Sequence, residues 1–182
     1  MFTGAWSAYN YLPWDLPELT EPVDRVIFTL KWHGLTVATL YYMLEGVLGE
    51  RAANAWNPMS KETQGNTILL GKILTNTVEQ MLLFVTSTII LSTYLTSQQM
   101  RLIPIFVVTW TIGRLLFDFG YRIGPIHRSP GFGMTLIPSM FSLNLIAYFQ
   151  YHEGSFILSI FSGLFAAERF LHVMNFLSKS FI

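Results

Sequence analysis

Three polar residues form one row in a strongly apolar stretch near the middle of the chain. Lys72, Asn76 and Glu79 stand at positions i, i+4 and i+7, which places their side chains on one face of an α-helix. A cation, an amide and a carboxylate in a row are groups that bind polar ligands. The spacing therefore indicates a polar stripe on this helix.

A second row with the same spacing lies in a later apolar stretch. Arg114, Asp118 and Tyr121 are again at i, i+4 and i+7, and Arg128 follows in the next loop. If this helix runs antiparallel to the first, its polar row lies within about 12 Å of the same membrane face, taking about 1.5 Å per residue. The two rows are thus predicted to lie at similar depth.

Ionisable residues at matching depth need an explanation, because a charge at the bilayer centre costs at least about 2.5–3.5 kcal/mol. One explanation is that each charge is satisfied separately: Arg114 pairs with Asp118, Lys72 snorkels to the interface and Glu79 bonds a neighbouring helix. The other is a polar cavity that opens toward one face. Further ionisable residues in other apolar stretches favour the cavity: Glu45, Glu168, Arg169 and His172.

The cavity's side chains indicate the class of ligand. Cations together with an amide, a carboxylate and a phenol suit an amphipathic substrate that carries carboxylates and an amine. The residues predicted to line the cavity are Lys72, Asn76, Glu79, Arg114, Tyr121 and Arg128.

Composition places these rows in a membrane. The 182 residues are 52% hydrophobic and only 12% charged, and the mean hydropathy is +0.43. A soluble surface normally carries far more charge. The formal net charge of +0 provides no basic field to neutralise phosphates, so we expect membrane lipids and no nucleic acid as partners.

Five stretches are long enough to span about 30 Å of hydrocarbon, which takes about 20 mostly apolar helical residues. They cover residues 23–48, 67–95, 99–122, 134–151 and 156–176, which predicts an all-α, integral membrane helical bundle. The segment GPIHRSPGFG is predicted to be a tight loop. Close helix approach and turning are expected at Gly113, Gly120, Gly124, Gly131 and Gly133.

Loop charge predicts the orientation of the bundle. One side collects Arg51, Lys61, Arg122, Arg128 and Lys179, and we expect this side to be cytosolic. The other side offers chiefly Arg25 and Arg101, and Lys31 and His33 are predicted to snorkel toward it. Residues 1–22 lack the features of a secretory signal and are predicted to be an interfacial extension.

Several kinds of site are not expected. The four histidines, at positions 33, 127, 152 and 172, are scattered and form no set with metal-ligand spacing. No phosphate-binding glycine loop is present. Because the sequence contains no cysteine, any thiol chemistry must use a thiol that the substrate brings.

The polar residues also resemble those of a known family. Arg51, the row Lys72, Asn76 and Glu79, and the segment GRLLFDFGYRIGPIHRS at residues 113–129 resemble the MAPEG family, the membrane-associated proteins in eicosanoid and glutathione metabolism. Within this family the motifs resemble those of leukotriene C synthase and microsomal prostaglandin E synthase, and the resemblance covers about residues 25–150. The resemblance implies a four-helix core at 23–151, and the additional helix at 152–182 is similar to that of the divergent five-span mattrin-like branch.

The resemblance implies glutathione as cofactor and assigns residues to it. Arg128 matches the arginine that activates the glutathione thiol, and Ser129 follows it as a serine follows the comparable arginine of prostaglandin E synthase. The resemblance also implies a homotrimer with sites at subunit interfaces, in the endoplasmic reticulum or another intracellular membrane, with a mitochondrial membrane as the alternative. Positions that match glutathione-binding residues are Arg51, Lys72, Asn76, Glu79, Arg114 and Tyr121.

The chain departs from the family pattern at three places. Lys72 stands where the family has an arginine, which replaces a bidentate guanidinium with a point charge. Phe117 stands where the family often has tyrosine or histidine. Asp118 lies within reach of Arg114 and is expected to compete for it.

Two functional hypotheses follow. The first is a membrane-embedded, glutathione-dependent transferase or peroxidase of lipid metabolism that acts on lipophilic electrophiles, with the thiolate stabilised by Arg128. The alternative is a noncatalytic scaffold with the MAPEG fold, or an accessory subunit of a larger membrane complex. A transporter or channel is a weaker reading, because only the intramembrane charge supports it.

Overall fold

The described part of the chain forms four long α-helices. The computed structural model describes residues 18–53, 61–124 and 126–152. Helix α1 covers Pro22–Ala53, α2 covers Lys61–Tyr94, α3 covers Leu102–Ile123 and α4 covers Ser129–His152. A short 3-10 helix, Ser97–Arg101, precedes α3. The predicted all-α membrane bundle is confirmed, and the predicted fifth span at 156–176 lies outside the described residues.

Three of the described helical segments are long and apolar enough to cross a membrane: Gly65–Tyr94, Ser97–Ile123 and Ser129–Tyr151. Helix α1 has 32 residues, about 48 Å at about 1.5 Å per residue, so its length is sufficient as well. Its sequence is less apolar, because the face that it buries carries threonines and a histidine.

The tight loop predicted at residues 124–133 is shorter in the structure. Helix α4 begins at Ser129 and not near residue 134, so only the first half of the segment is a turn. Proline is favoured in the first turn of a helix, where its missing N–H is not needed, and Pro130 stands there. The helix therefore includes Gly131 and Gly133, which the sequence had placed in the loop.

The helices pack in a ring in which each has two principal neighbours. Helix α1 packs beside α2 and α3, and α4 closes the other side by packing against the same two helices. Helices α2 and α3 consequently lie on a diagonal and meet mainly through long side chains at the centre. Any side chain that reaches from α3 to α2 must cross the middle of the bundle.

Two apolar clusters fill the interior. The smaller consists of Met43, Val47, Leu70, Ile73 and Phe117. The larger consists of Leu19, Phe84, Leu91, Leu95, Met100, Ile103, Val107, Trp110 and Ile146. Along α3, Trp110 belongs to the larger cluster and Phe117 to the smaller, so the residues between them form a layer that separates the two.

Helices α3 and α4 approach each other closely at two glycines. A Cβ atom on Gly113 would lie 2.8 Å from the Met134 Cβ and 2.9 Å from the Thr135 Cγ2. A Cβ on Gly131 would overlap the backbone of Phe117 and lie 2.7 Å from the Gly113 carbonyl oxygen. The predicted role of these two glycines in close helix approach is confirmed, and the contact brings Thr135 next to Arg114.

A polar seam joins α1 to α2. His33 is buried, and its Nε2 lies 2.8 Å from the Thr88 Oγ1 of α2, while its Nδ1 lies 3.3 Å from the Thr36 Oγ1. The expectation that His33 snorkels beside Lys31 is therefore wrong for the histidine. Two residues apart on a helix, the side chains point about 200° from each other, so Lys31 is exposed where His33 is buried.

We expect Thr88→Val to lower the free energy of unfolding in detergent by about 1–3 kcal/mol, because it leaves a ring nitrogen of buried His33 without its partner. The matched control is Thr86→Val. Thr86 is exposed on the same helix and bonds only its own helix, at the Leu82 and Leu83 carbonyls, so its replacement should cost no more than about 0.5 kcal/mol. Equal losses of unfolding free energy in Thr88→Val and Thr86→Val would show that the contact between His33 and Thr88 does not stabilise the bundle.

Candidate functional site

An arginine lies at the centre of the bundle. Arg114 of α3 is fully buried, and its Nη1 donates to the Asn76 Oδ1 of α2 at 2.9 Å and, at 3.5 Å, to the Thr77 Oγ1. Its Nη2 donates to the Thr135 Oγ1 of α4 at 2.7 Å. The guanidinium thus connects three helices across the diagonal of the bundle.

Two aromatic rings lie along the same guanidinium. The Arg114 Cζ is 4.7 Å from the centre of the Phe117 ring and 5.7 Å from that of Trp110. Ring faces attract cations, and the attraction strengthens where water is excluded. The polar layer between the two apolar clusters is therefore this cation, its neutral oxygen partners and the two rings.

Arg114 has no carboxylate partner among the described residues. The ion pair that the described region does contain joins Arg122 and Asp118, with 3.0 Å between the Arg122 Nη2 and the Asp118 Oδ1. Asp118 is buried and also accepts from the Arg122 Nε at 3.0 Å. The expectation that Asp118 competes for Arg114 is wrong, because Asp118 pairs with Arg122, four residues later on the same helix.

Arg114 fixes the orientation of the Asn76 side chain. Because a guanidinium only donates, it must meet the amide oxygen, and the amide NH2 group of Asn76 is then directed elsewhere. Asn76 is half-buried, so its side chain lies at the boundary between the interior and the outer face of α2. The buried arginine thereby presents a donor of known identity at that boundary.

The other two members of the α2 row face outward. Lys72 and Glu79 are exposed, and neither forms an ion pair with another described residue. Glu79 lies at the midpoint of the apolar segment Gly65–Tyr94. Thr75 and Leu82 are exposed on the same side, so α2 presents an outer face that combines ionic and apolar groups.

A second group of site residues lies where α3 ends. The Arg128 Cζ is 5.0 Å from the centre of the Tyr121 ring, and Arg128 is exposed. Tyr121 also packs against Phe117, with 5.5 Å between ring centres. The guanidinium of Arg128 therefore lies over the face of the Tyr121 ring, and Tyr121 is about two helical turns from Arg114 along α3.

One chain brings some of the predicted site residues together and keeps others apart. Asn76 meets Arg114, and Tyr121 meets Arg128, whereas Lys72 and Glu79 form no hydrogen bond or ion pair with these residues in the described region. The other exposed candidates are Glu45 and Arg51 on α1, and Glu168, Arg169 and His172 lie outside the described residues. The cavity that gathers all of these residues stays a prediction.

Comparison with known proteins identifies the family. The sequence pattern of the MAPEG family matches residues 29–148, which is well over half of the chain and includes most of α1, all of α2 and α3, and most of α4. The chain belongs to the MAPEG family. The resemblance inferred from the polar rows is thus confirmed, and the rows themselves lie inside the matched region.

The chain is similar to Transmembrane protein 79, or mattrin, of two mammals. It is 24% identical to the mouse protein over 147 residues and 24% identical to the Bos taurus protein over 151 residues, in each case over 80% of this chain. It spans 37% of the length of each relative. No solved structure matches the chain at a significant level.

The described residues contain no group of three or more histidine, cysteine, aspartate or glutamate residues that could hold a metal ion. The metal-free site stays a prediction.

The two threonine partners of Arg114, Thr77 and Thr135, were not predicted from the sequence, since threonine is common in membrane helices and carries no distinctive signal. The small residue beside Arg114 was the available clue, because Gly113 permits the approach of α4 that delivers Thr135.

We expect Thr135→Val to destabilise the MAPEG bundle by about 1.5–3 kcal/mol, because it removes a hydrogen bond to a buried cation. In an Arg114→Met background the same change should cost at least about 0.5 kcal/mol less, which a double-mutant cycle of unfolding free energies in detergent measures. Ser142→Ala is the control, because Ser142 is buried on the same helix but bonds only the Pro138 carbonyl. Additive losses from Thr135→Val and Arg114→Met would show that the two side chains do not interact.

Proposed function

We propose that this MAPEG protein is a membrane-embedded glutathione-dependent transferase or peroxidase that acts on lipophilic electrophiles. Its glutathione site lies on the outer face of α2, at the interface between subunits of a homotrimer, and opens toward the cytosolic side of an intracellular membrane. Arg128 stabilises the thiolate. The supporting observation is the pair of exposed ionic residues, Lys72 and Glu79, inside a membrane-spanning segment.

Those two side chains do not belong in lipid. An ionised residue at the centre of a membrane helix costs at least about 2.5–3.5 kcal/mol when it faces hydrocarbon. Glu79 occupies that central position, is exposed and has no cation beside it in the described region. The outer face of α2 therefore requires a protein surface, a polar ligand or both to cover it.

Glutathione matches the groups on this face. Lys72 suits a carboxylate, Glu79 suits an ammonium group, and the Asn76 amide NH2, oriented by Arg114, suits a carbonyl or carboxylate oxygen. Seven residues of helix separate Lys72 from Glu79 by about 10.5 Å along the axis. An extended tripeptide spans about 10 Å, so one such ligand could reach both charges.

The proposal completes the site with a second subunit. Arg128 lies in the turn between α3 and α4, over the ring of Tyr121, and α3 lies across the bundle from α2. In the described part of one chain, Arg128 forms no ion pair or hydrogen bond with Lys72 or Glu79. In a closed ring of three copies, the α2 face of one subunit can receive Arg128, and Arg51 from the end of α1, from a neighbour.

The chemistry assigned to Arg128 is thiolate stabilisation. Glutathione, when bound, supplies a thiol whose ionised form is the nucleophile. An adjacent guanidinium lowers the pKa of a thiol because it favours the charged form. Arg128 suits this task, since it forms no ion pair with another described residue and the Tyr121 ring supports its guanidinium from one side.

One observation favours the scaffold alternative. Phe117, where the family often has a polar ring, is buried between Arg114 and Tyr121 and offers no hydrogen bond to a ligand. Together with a lysine at position 72, this reduces the number of polar groups available for the tripeptide. The alternative therefore predicts a folded, assembled protein that does not bind glutathione.

We expect glutathione to raise the free energy of unfolding of the wild-type protein in detergent, by about 2.7 kcal/mol at 100 times its Kd, because it binds the folded state. Asn76→Ala and Glu79→Gln should each weaken this effect. Thr86→Val, on the same helix but bonded only to its own backbone, should leave it unchanged. The particle mass, from light scattering corrected for detergent, should correspond to three chains of 20.8 kDa.

An unchanged unfolding transition at millimolar glutathione, in a sample that remains assembled, would support the scaffold and reject the transferase proposal. Loss of the stabilisation in Asn76→Ala but not in Glu79→Gln would reject the assignment of Glu79 to the ligand's ammonium group.

We expect Arg128→Ala to lower kcat for conjugation of a lipophilic electrophile by about 10²–10³-fold, the usual effect of losing one charge-stabilising donor. The pKa of the bound thiol should rise. The rising limb of the pH profile of kcat/KM for the electrophile, measured at saturating glutathione, should therefore move to higher pH. The neighbouring exposed residue provides the control, as His127→Ala should leave both quantities unchanged. An Arg128→Ala enzyme with an unaltered pH profile would remove Arg128 from the mechanism.

A further inference from the structure

The turn that carries Arg128 lies directly on the last part of α3. A Cβ atom on Gly120 would overlap the His127 carbonyl oxygen and would lie 2.9 Å from the Arg128 amide nitrogen. Any residue other than glycine at position 120 would therefore push the backbone of the turn away from the helix. We infer that Gly120 is the positioning residue for Arg128, an inference that rests on the proposed function.

Hydrogen bonds connect Gly120 to the turn in sequence. The Gly124 amide donates to the Gly120 carbonyl at 3.0 Å, the His127 amide donates to the Gly124 carbonyl at 3.2 Å, and the Ser129 amide donates to the Ile126 carbonyl at 3.2 Å. The Arg128 carbonyl then accepts from the Phe132 amide at 3.0 Å, within the first turn of α4. The backbone is thus bonded on both sides of Arg128.

The side chain of Arg128 is held at a further point. Its guanidinium lies over the ring of Tyr121, the residue that follows Gly120 in α3. Two adjacent residues of one helix therefore contact the backbone and the charged end of Arg128. A rigid helix that contacts both ends of a side chain fixes its direction more firmly than contact at either end alone.

The contact at Gly120 differs from those at the other close glycines. Gly113 and Gly131 meet side chains and backbone of the facing helices, in the interior of the bundle, where close packing stabilises the fold. Gly120 instead meets the backbone of a turn whose side chains are exposed, Ile126, His127 and Arg128. Little apolar surface is buried by these side chains, so the consequence of this contact is the placement of the turn and of Arg128.

A displacement of Arg128 affects thiolate stabilisation more than tripeptide binding. The groups assigned to the tripeptide are on α2, away from the turn, whereas the interaction of Arg128 with the thiolate falls with the distance between the charges. Gly120→Ala should therefore lower kcat/KM at neutral pH by about 10–100-fold, since a misplacement of about 1 Å can cost 10²-fold. The Kd for glutathione should change by less than about threefold.

The chain supplies a matched control. Gly133 lies in the first turns of α4, and a Cβ on it would have nothing within 4 Å. Gly133→Ala makes the same chemical change without displacing the turn. Both variants are compared with wild type in detergent or in bilayer discs, as the intact assembled protein.

Two readouts test the inference. The first uses no ligand: trypsin cleavage after Arg128, quantified by mass spectrometry, should be faster in Gly120→Ala than in wild type and Gly133→Ala. The second is the ultraviolet absorbance of the glutathione thiolate, titrated against pH on the protein. Its midpoint should move to higher pH in Gly120→Ala alone, and the rising limb of the kcat/KM profile should follow it.

Failure of the inference and failure of the proposed function give different results. A wild-type protein that binds no glutathione would reject the proposed function, while the cleavage comparison would still report whether Gly120 positions the turn. Equal cleavage rates in the two variants would overturn the positioning role. So would a thiolate midpoint in Gly120→Ala equal to that of wild type, even if the turn is cleaved faster.

Gly120→Ala could also fail to fold, and a measurement on the wild type covers that case. The His127 and Ser129 amides should exchange with deuterium more slowly than in an unstructured peptide, because the turn is hydrogen-bonded and held against α3. Exchange at the peptide rate would show that the turn does not rest on Gly120 and would overturn the inference.

Discussion

A buried guanidinium that has no carboxylate partner among the described residues constrains the four described helices. Removing a cation from water is costly unless hydrogen bonds and nearby charge replace hydration. Around Arg114 the replacements are oxygens of Asn76, Thr77 and Thr135 and the faces of two rings. These groups come from α2, α3 and α4, so the solvation of one side chain requires three helices in a single register. The close approach at Gly113 and Gly131 is what permits Thr135 to take part.

That register has consequences on the outside of α2. With Asn76 turned inward to meet Arg114, the residues one turn before and nearly one turn after it, Lys72 and Glu79, must lie further out on the same helix. The inward contact of Asn76 and the outward positions of Lys72 and Glu79 therefore follow from one rotation of α2 about its axis. The described helices of one chain satisfy the interior and leave an ionic face on α2 inside a span, which is why the proposed site is placed between chains.

The sequence predicted the helices far better than the partners of their side chains. Hydropathy located the three apolar spans, and the i, i+4, i+7 spacing identified Asn76 and Arg114 correctly as residues of one polar layer. Spacing alone could not show that Asp118 binds Arg122, since i, i+4 pairs with Arg114 and with Arg122 are equally allowed on an isolated helix. The rotation of α3 against its neighbours decides between them. His33 was misjudged for the same reason, because its burial depends on which face α1 turns toward Thr88.

Family membership leaves catalysis open, since a fold can be kept while a site is lost. The buried polar groups and the exposed ones differ in what they indicate about an enzyme and a scaffold. Arg114 and its partners hold helices together, so a scaffold needs them as much as an enzyme does. Lys72 and Glu79 bond no other described residue, and leucine at either position would suit a lipid-facing helix better by at least about 2.5 kcal/mol. A scaffold explains these two charges with two separate arrangements, Lys72 snorkelling toward the interface and Glu79 bonded to another helix, whereas a zwitterionic tripeptide held between identical subunits accounts for both with one ligand.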